Sequence, residues 1–208
     1  NVYTGDTINN KDENIAVYGQ YLVVYDEFTK KDIRVTPTFA LASMIPSNDI
    51  ANGIHTTLSG LRRGIIYDVK DISYNPTDAE QELLYIDKVN YIEKTKNNFK
   101  FEAQQTFRIP VEGRDALTKI NNTRVIKQVR TDVVDICEPY IHEFNDSQTL
   151  LNLQKNINRY LQQWKNNRSC EIAQAVVTSD ENSKALGIAR VNIAIKFTGV
   201  IDVIDVEI

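Results

Sequence analysis

Residues 147–166 read SQTLLNLQKNINRYLQQWKN and residues 186–197 read LGIARVNIAIKF, and the two stretches obey different periods. In the first, Leu150, Leu153, Ile157, Leu161 and Trp164 recur at three- and four-residue spacing, one face of an α-helix. In the second, Val191, Ile193, Ile195 and Phe197 alternate with Asn192, Ala194 and Lys196, the two-residue period of a half-buried strand. Just upstream, roughly Asp115 to Tyr140, a further helical face is spelled by Val125, Val129, Val133, Ile136 and Tyr140. Cys170 to Thr178 reads as another strand. Helix stripes and strand faces bury each other in layers. The expected class is therefore α+β: a mixed β-sheet flanked by two long amphipathic helices.

The pattern continues toward the N-terminus. Ile15 to Tyr25 reads as an apolar strand, Asp26 to Asp32 as a charged turn and Ile33 to Val35 as a short strand. Thr36-Pro37 places a capping residue before a proline at the first helical position. The helix it opens should bury Ala40, Leu41 and Met44 and stop at Pro46, with residues 47–64 as loop. Ile65 to Ser73 is a strand candidate. Thr77-x-x-Glu80 is a capping box, opening a helix whose apolar face reads Ala79, Leu83 and Ile86. Tyr91 to Lys94 and Phe99 to Thr106, around Lys96-Asn97-Asn98, predict a hairpin. The domain organisation expected from this pass is a segment 1–35, one main domain 36–198 and an extended arm 199–208.

Composition narrows the function classes. The 208 residues are 42% apolar and 25% charged, with 24 Lys+Arg against 28 Asp+Glu for a net charge of −4. A chain of this length buries roughly 70% of its extended surface, enough for a core without staples. No apolar run of ~18 residues and no signal-peptide pattern is present, so no membrane partner and a cytosolic site of synthesis are expected. An acidic pI of about 5.3 argues against general nucleic-acid binding. The first residue, Asn1, is not Met, from which a fragment or processed product is expected.

Catalytic signatures are sparse. The glycines form no phosphate-binding GxxxxGK[ST] or GxGxxG loop, and GxSxG, HExxH and EF-hand patterns are absent. Cys137 and Cys170 fit neither a disulfide framework nor a zinc site and read as buried small hydrophobes. His55 lies in a Thr/Ser loop without a neighbouring acid. Glu138 and His142, at helical i, i+4 spacing, could hold a metal only with further ligands; a solvated helix end is the plainer reading. No catalytic residue, metal site or cofactor is expected.

Two features carry more. From Ser147 to Cys170 the chain has Lys155, Arg159, Lys165 and Arg168 and no acidic residue. Such a face either docks an acidic partner or is a solvated face with charges favourable to the helix C-terminus. The last residues interleave Val200, Ile201, Val203, Ile204, Val206 and Ile208 with Asp202, Asp205 and Glu207. Extended, they span ~33 Å, about twice the ~17 Å radius of gyration of a compact chain of this length. Such an arm either closes its own sheet or reaches a neighbour's sheet edge by strand addition.

An ordered series of weak motifs, from about Ile15 to the C-terminus, resembles the contractile tail sheath proteins of phages and related injection machines. Ile15-Ala16-Val17-Tyr18-Gly19-Gln20-Tyr21 is similar to the family's Ala/Tyr-rich segment. Thr36-Pro37 with Ala40, Ala42, Asn48-Asp49 and Gly53-Ile54 is similar to its P-S-x-x-A-G, R-T-D and G-V-W stretch. Leu83 to Ile92 sits at its L-x-x-x-x-I-N-x-I, and Gln105-Thr106-Phe107 at its R-T-L. Asn122-Thr123-Arg124-Val125-Ile126 resembles the start of the first long helix, and Phe144-Asn145-Asp146 the F-E-P-N-D before the second. Leu161 with Trp164, then Val177 to Asn182 and Gly187, continue the order. Arg168-Ser169-Cys170 replaces the family's small G-A-L turn, and Phe197-Thr198-Gly199-Val200 replaces its P-x-x-P-A-E. Those departures point to a divergent member, such as a large-genome myovirus would carry.

The resemblance implies a structural subunit. It would form hexameric rings stacked helically around a tail tube, within a virion tail assembled in the host cytoplasm. Contraction would drive the tube through the host envelope. The implied partners are other copies, the tube protein, the baseplate and a tail terminator. On that reading the residues of the arm 199–208 are subunit contacts, and Lys155, Arg159, Lys165 and Arg168 are tube-contact candidates. A bacteriocin or secretion-apparatus sheath is the related alternative; an unrelated α+β binding module is the distant one.

Overall fold

Short strands and long helices dominate the computed structural model, which describes residues 12–109 and 115–199. In chain order the elements are β1 (Val17–Tyr18), β2 (Leu22–Asp26), β3 (Lys31–Val35), α1 (Pro37–Asn52), α2 (Gly60–Arg63), β4 (Ile65–Ile66), β5 (Asp71–Ile72), α3 (Asp78–Ile86), β6 (Val89–Lys94) and β7 (Phe99–Glu102). There follow α4 (Ile120–Cys137), α5 (Ser147–Asn166), β8 (Cys170–Thr178), α6 (Glu181–Ala185) and β9 (Arg190–Phe197). The α+β class holds. The chain divides into two compact units between Val125 and Ile126, inside α4.

The first unit contains two sheets. One is mixed, in the order β1-β6-β7-β4, with β1 parallel to β6; the other is antiparallel, β3-β2-β5. Leu22, Leu41, Ile66, Ile72, Ile92 and Phe101 meet in its core. The expected hairpin is present, with Lys94 opposite Phe99 and Ile92 opposite Phe101. Across residue 35 the strands pair, β1 with β6 and β2 with β5. Strands of two to five residues bury no face alone, and residues 17–35 are woven into the unit by these pairings.

Such short strands leave backbone groups to be satisfied, and buried amide side chains do it. Asn90, fully buried, donates to the Val17 and Gln105 carbonyls and accepts from the Gln105 N–H at 2.7 Å. Gln20 accepts from the Ile92 N–H and donates to the Ile92 and Tyr74 carbonyls, continuing the ladder where β1 stops. Gln104 donates to the Leu58 carbonyl. A buried peptide group without a partner costs about as much as a lost hydrogen bond, so each amide stands in for a missing strand residue.

Several elements depart from the sequence reading. α1 runs through Pro46 to Asn52. Proline removes one backbone donor, but Asn48 bonds Thr56 and Asn52, and Arg124 forms a two-pronged ion pair with Asp49, so the turn beyond it is held by tertiary contacts. Residues 65–73 are not one strand: β4 pairs with β7 and β5 with β2. The capping box forms, with Glu80 accepting from the Thr77 N–H and hydroxyl. The helix it opens buries Leu84, against Val89 and Tyr91, and leaves Leu83 and Ile86 exposed. In a nine-residue helix with adjacent leucines, periodicity cannot choose between them. Lastly, the strand pair β8–β9 is a sheet of its own, and it is this pair, not the mixed sheet, that α5 packs on.

Asn90→Ala is expected to strand three backbone groups, two of them buried, and cost about 3 kcal/mol, read as a lowered urea midpoint at unchanged m-value.

Candidate functional site

The second unit is organised by α5. Its N-cap, Asp146, accepts from the Thr149 N–H at 2.7 Å. Leu153, Ile157, Leu161 and Trp164 are buried, as the spacing requires, facing a β8 whose inward residues include the small Ala173 and Ala175. Each large side chain contributes about 1.5–3 kcal/mol of burial. α4 and α5 are joined by the Tyr160 hydroxyl on Asp132 at 2.5 Å and by Asn156 on the Tyr140 hydroxyl at 2.6 Å. Burial and then the Asp132 carboxylate push the Tyr160 phenol well above its ordinary range.

The β8–β9 pair is antiparallel, with Ala173, Ala175 and Val177 opposite Ile195, Ile193 and Val191. Its link contains α6, closed by the Ile188 N–H on the Ser183 carbonyl and the Gly187 N–H on the Lys184 carbonyl, with Gly187 at φ 68°. That arrangement is a Schellman stop, which favours glycine.

The two outer edges of the pair differ. On β8, Asn158 of α5 donates to the Ala175 carbonyl at 3.0 Å and accepts from its N–H at 2.8 Å, while Gln154 accepts from the Val177 N–H at 3.0 Å. Ala175 therefore turns its backbone groups away from β9, which makes Ala175–Ile193 a non-hydrogen-bonded pair. By the same alternation the N–H and C=O of Val191, Ile193 and Ile195 point out from the far edge of β9. Among the described residues nothing bonds them.

Beside that open edge lies an apolar groove of about 790 Å³. Val129, Val133 and Cys137 of α4 form one wall and Val191, Ile193 and Ile195 the other; its charged groups are Arg130 and Glu138. Burial pushes the Cys137 thiol up, so it is neutral and adds apolar surface rather than a nucleophile. Among the described residues, an open ladder beside an apolar groove is suited to receiving an extended segment.

No protein-family model and no curated protein matches the sequence. Solved structures do match the fold. The helical sheath of the anti-feeding prophage in its contracted state superposes with a TM-score of 0.82 at 16% identity, over 97% of this chain and 57% of that one. The sheath complex of an extracellular contractile injection system, PVC, in the contracted state gives 0.80 at 15% identity, over 96% and 56%. A sheath tail protein from Desulfitobacterium hafniense gives 0.64 at 13% identity, over 82% and 40%. The chain has the contractile sheath fold. It spans little more than half the length of the sheath chains from the first two assemblies.

Within this sheath fold Lys155, Arg159, Lys165 and Arg168 are all exposed, and no ion pair reaches them among the described residues. Lys155 and Arg159 stand one turn apart on the face of α5 opposite its buried stripe. Arg168 has φ 59° and ends α5, with the Ser169 N–H on the Trp164 carbonyl. It thus holds a left-handed position that favours glycine. Val200, Ile201, Val203, Ile204, Val206 and Ile208 lie outside the described residues.

Among the described residues no cluster of His, Cys, Asp and Glu could hold a metal ion, and no helix is long and apolar enough to cross a membrane. Glu138 opens a 3-10 turn and His142 lies beyond it at φ 74°, so the two do not share a helical turn. Burial, then the Arg63 charge, lowers the His55 pKa, and its carbonyl accepts from Asn121. The open edge, the amides that close β8 and the left-handed Arg168 were not read from the sequence. The one available signal was a pair of amides, Gln154 and Asn158, flanking the buried stripe.

The backbone bond from Thr149 holds the Asp146 carboxyl below its ordinary range. A depressed folded pKa contributes stability above the unfolded value of about 3.9 that is lost as pH falls through the folded one. Thermal melts from pH 6 to about 2 should show Asp146→Asn with a shallower acid loss than the parent, most of the difference being present at neutral pH.

Proposed function

We propose that this protein is a structural subunit of a contractile tail sheath, with no catalytic role, which polymerises around a tail tube and contracts to drive that tube through the host envelope. The observation that carries the proposal is the outer edge of the eight-residue β9, where nothing among the described residues bonds Val191, Ile193 and Ile195, beside an apolar groove, on a fold shared with contractile sheath proteins. An exposed edge of that length is an aggregation liability unless it has a partner. In the lattice the partner is the arm 199–208 of a neighbouring copy, which adds a strand at β9 about 4.8 Å away and sets alternate side chains over the groove. Main-chain bonds give affinity, and side-chain pockets give register. Arms of this kind keep subunits linked while rigid bodies rotate during contraction. The copies form hexameric rings stacked helically, with baseplate and terminator at the two ends of the virion tail, and assembly takes place in the host cytoplasm.

The exposed face of α5 meets the tube. Lys155, Arg159, Lys165 and Arg168 supply exposed positive charge, which steers and registers docking on an acidic surface. Arg168 adds a separate argument: a non-glycine residue in the left-handed region costs about 1–2 kcal/mol, and such strain persists where the side chain has a use. The second reading, the sheath of an injection system that is not a phage, is favoured by the likeness to the anti-feeding prophage and PVC sheaths; it employs the same edge, groove and basic face.

Electron microscopy of the concentrated protein should show tubes or stacked rings of uniform width. Deletion of residues 200–208, or Ile193→Pro, which removes one outward N–H, should leave folded monomers; persistence of tubes in both would sink strand addition. Lys155→Glu with Arg159→Glu should reduce co-sedimentation with tube at low salt without changing self-assembly. Arg168→Gly should raise stability by about 1 kcal/mol and still weaken tube docking.

A further inference from the structure

We propose that Asn158, with Gln154 beside it, decides which side of the β8–β9 pair can receive another strand, and so makes assembly one-directional. The inference rests on the reading that subunits are joined by strand addition at β9. A two-stranded sheet has two edges, and β8, nine residues long, is by length the better template of the two. Its outward-facing side chains do not protect it either: Ile172 and Val176 are about half exposed, at 49% and 48%. In the first unit, by contrast, β1, β4 and β5 are two residues each, and β3 carries Lys31, Asp32 and Arg34. Shortness and charge are the usual guards of a sheet edge, and β8 has little of either.

Its guard is the amide pair. A carboxamide presents the same donor and acceptor as a peptide unit, so Asn158 occupies both backbone groups of Ala175 as one residue of a neighbouring strand would. Gln154, four residues earlier, takes the Val177 N–H two residues further along β8. The spacing is commensurate: four helical residues rise about 6 Å and two strand residues about 6.8 Å. Both amides are half-buried between the stripe of α5 and the strand, so they are preorganised and an incoming strand would have to displace them. Among the described residues β9 has no counterpart. The asymmetry sends every added strand to the side where the groove lies, and it prevents a second arm from stacking on β8 into an unlimited sheet.

The test uses the full chain and a synthetic peptide of residues 199–208 as probe, with native mass spectrometry and amide exchange as readouts. Asn158→Ala is expected to bind one peptide per chain more than the parent. Its Ala175 N–H should exchange about tenfold faster and regain protection when peptide is added. If Asn158→Ala does not fold, Gln154→Ala, which frees only the Val177 N–H, carries the same comparison at that amide. Unchanged stoichiometry, with no peptide-induced protection at Ala175 or Val177, overturns the proposal. If that result comes while Ile193→Pro and the arm deletion still abolish tubes, only the directional inference fails. Should those two variants also assemble normally, the strand-addition reading itself fails.

Discussion

Everything in this chain follows from the requirement that a buried peptide group find a hydrogen-bond partner. Its strands are too short and too few to satisfy one another. Carboxamide side chains finish what the strands leave open: Asn90 bridges β1 and the segment after β7, Gln20 extends the ladder past β1, and Asn158 and Gln154 close β8. Each is buried or half-buried, and each offers the backbone a copy of itself. Against that background the far edge of β9 stands out, because the outward groups of Val191, Ile193 and Ile195 have no substitute among the described residues.

The helix α5 is where stability and the proposed function divide between faces. Its inward stripe contributes the largest side chains of the second unit's core, and the amides on its flank close β8. The opposite face carries positive charge with no acidic residue from Ser147 to Cys170. The proposed function uses that arrangement, because a lattice of such subunits must hold a tube without bonding to it permanently. Charge complementarity gives register and rate more than binding energy, whereas strand exchange gives connections that survive large rotations.

Arg168 shows how strain marks a choice. The turn after α5 is a Schellman stop whose left-handed residue would be glycine on conformational grounds, and the chain has arginine there. The fold tolerates it because the Ser169 N–H bond to Trp164 and the following strand fix the turn from both sides.

The sequence by itself determined the α+β class, α5 to the residue, the capping box at Thr77, the hairpin at Lys94 and Phe99, and the strand face of Val191, Ile193 and Ile195. These depend on periods of 3.6 and 2 residues and on local caps, which a linear chain records directly. It also displayed the basic run on α5 and the weak ordered motifs that resemble sheath proteins. Only the tertiary structure decided how strands sort into three sheets, that α1 continues through Pro46, that Leu84 rather than Leu83 is buried, and which edge stays open. Sheet partners are set by contacts between residues far apart in the chain, as when Asn158 meets Ala175 or Arg124 meets Asp49. An amide that will replace a strand looks, in sequence, like any polar residue on the flank of a helix, because its bond exists only once the chain has brought a backbone edge within 3 Å.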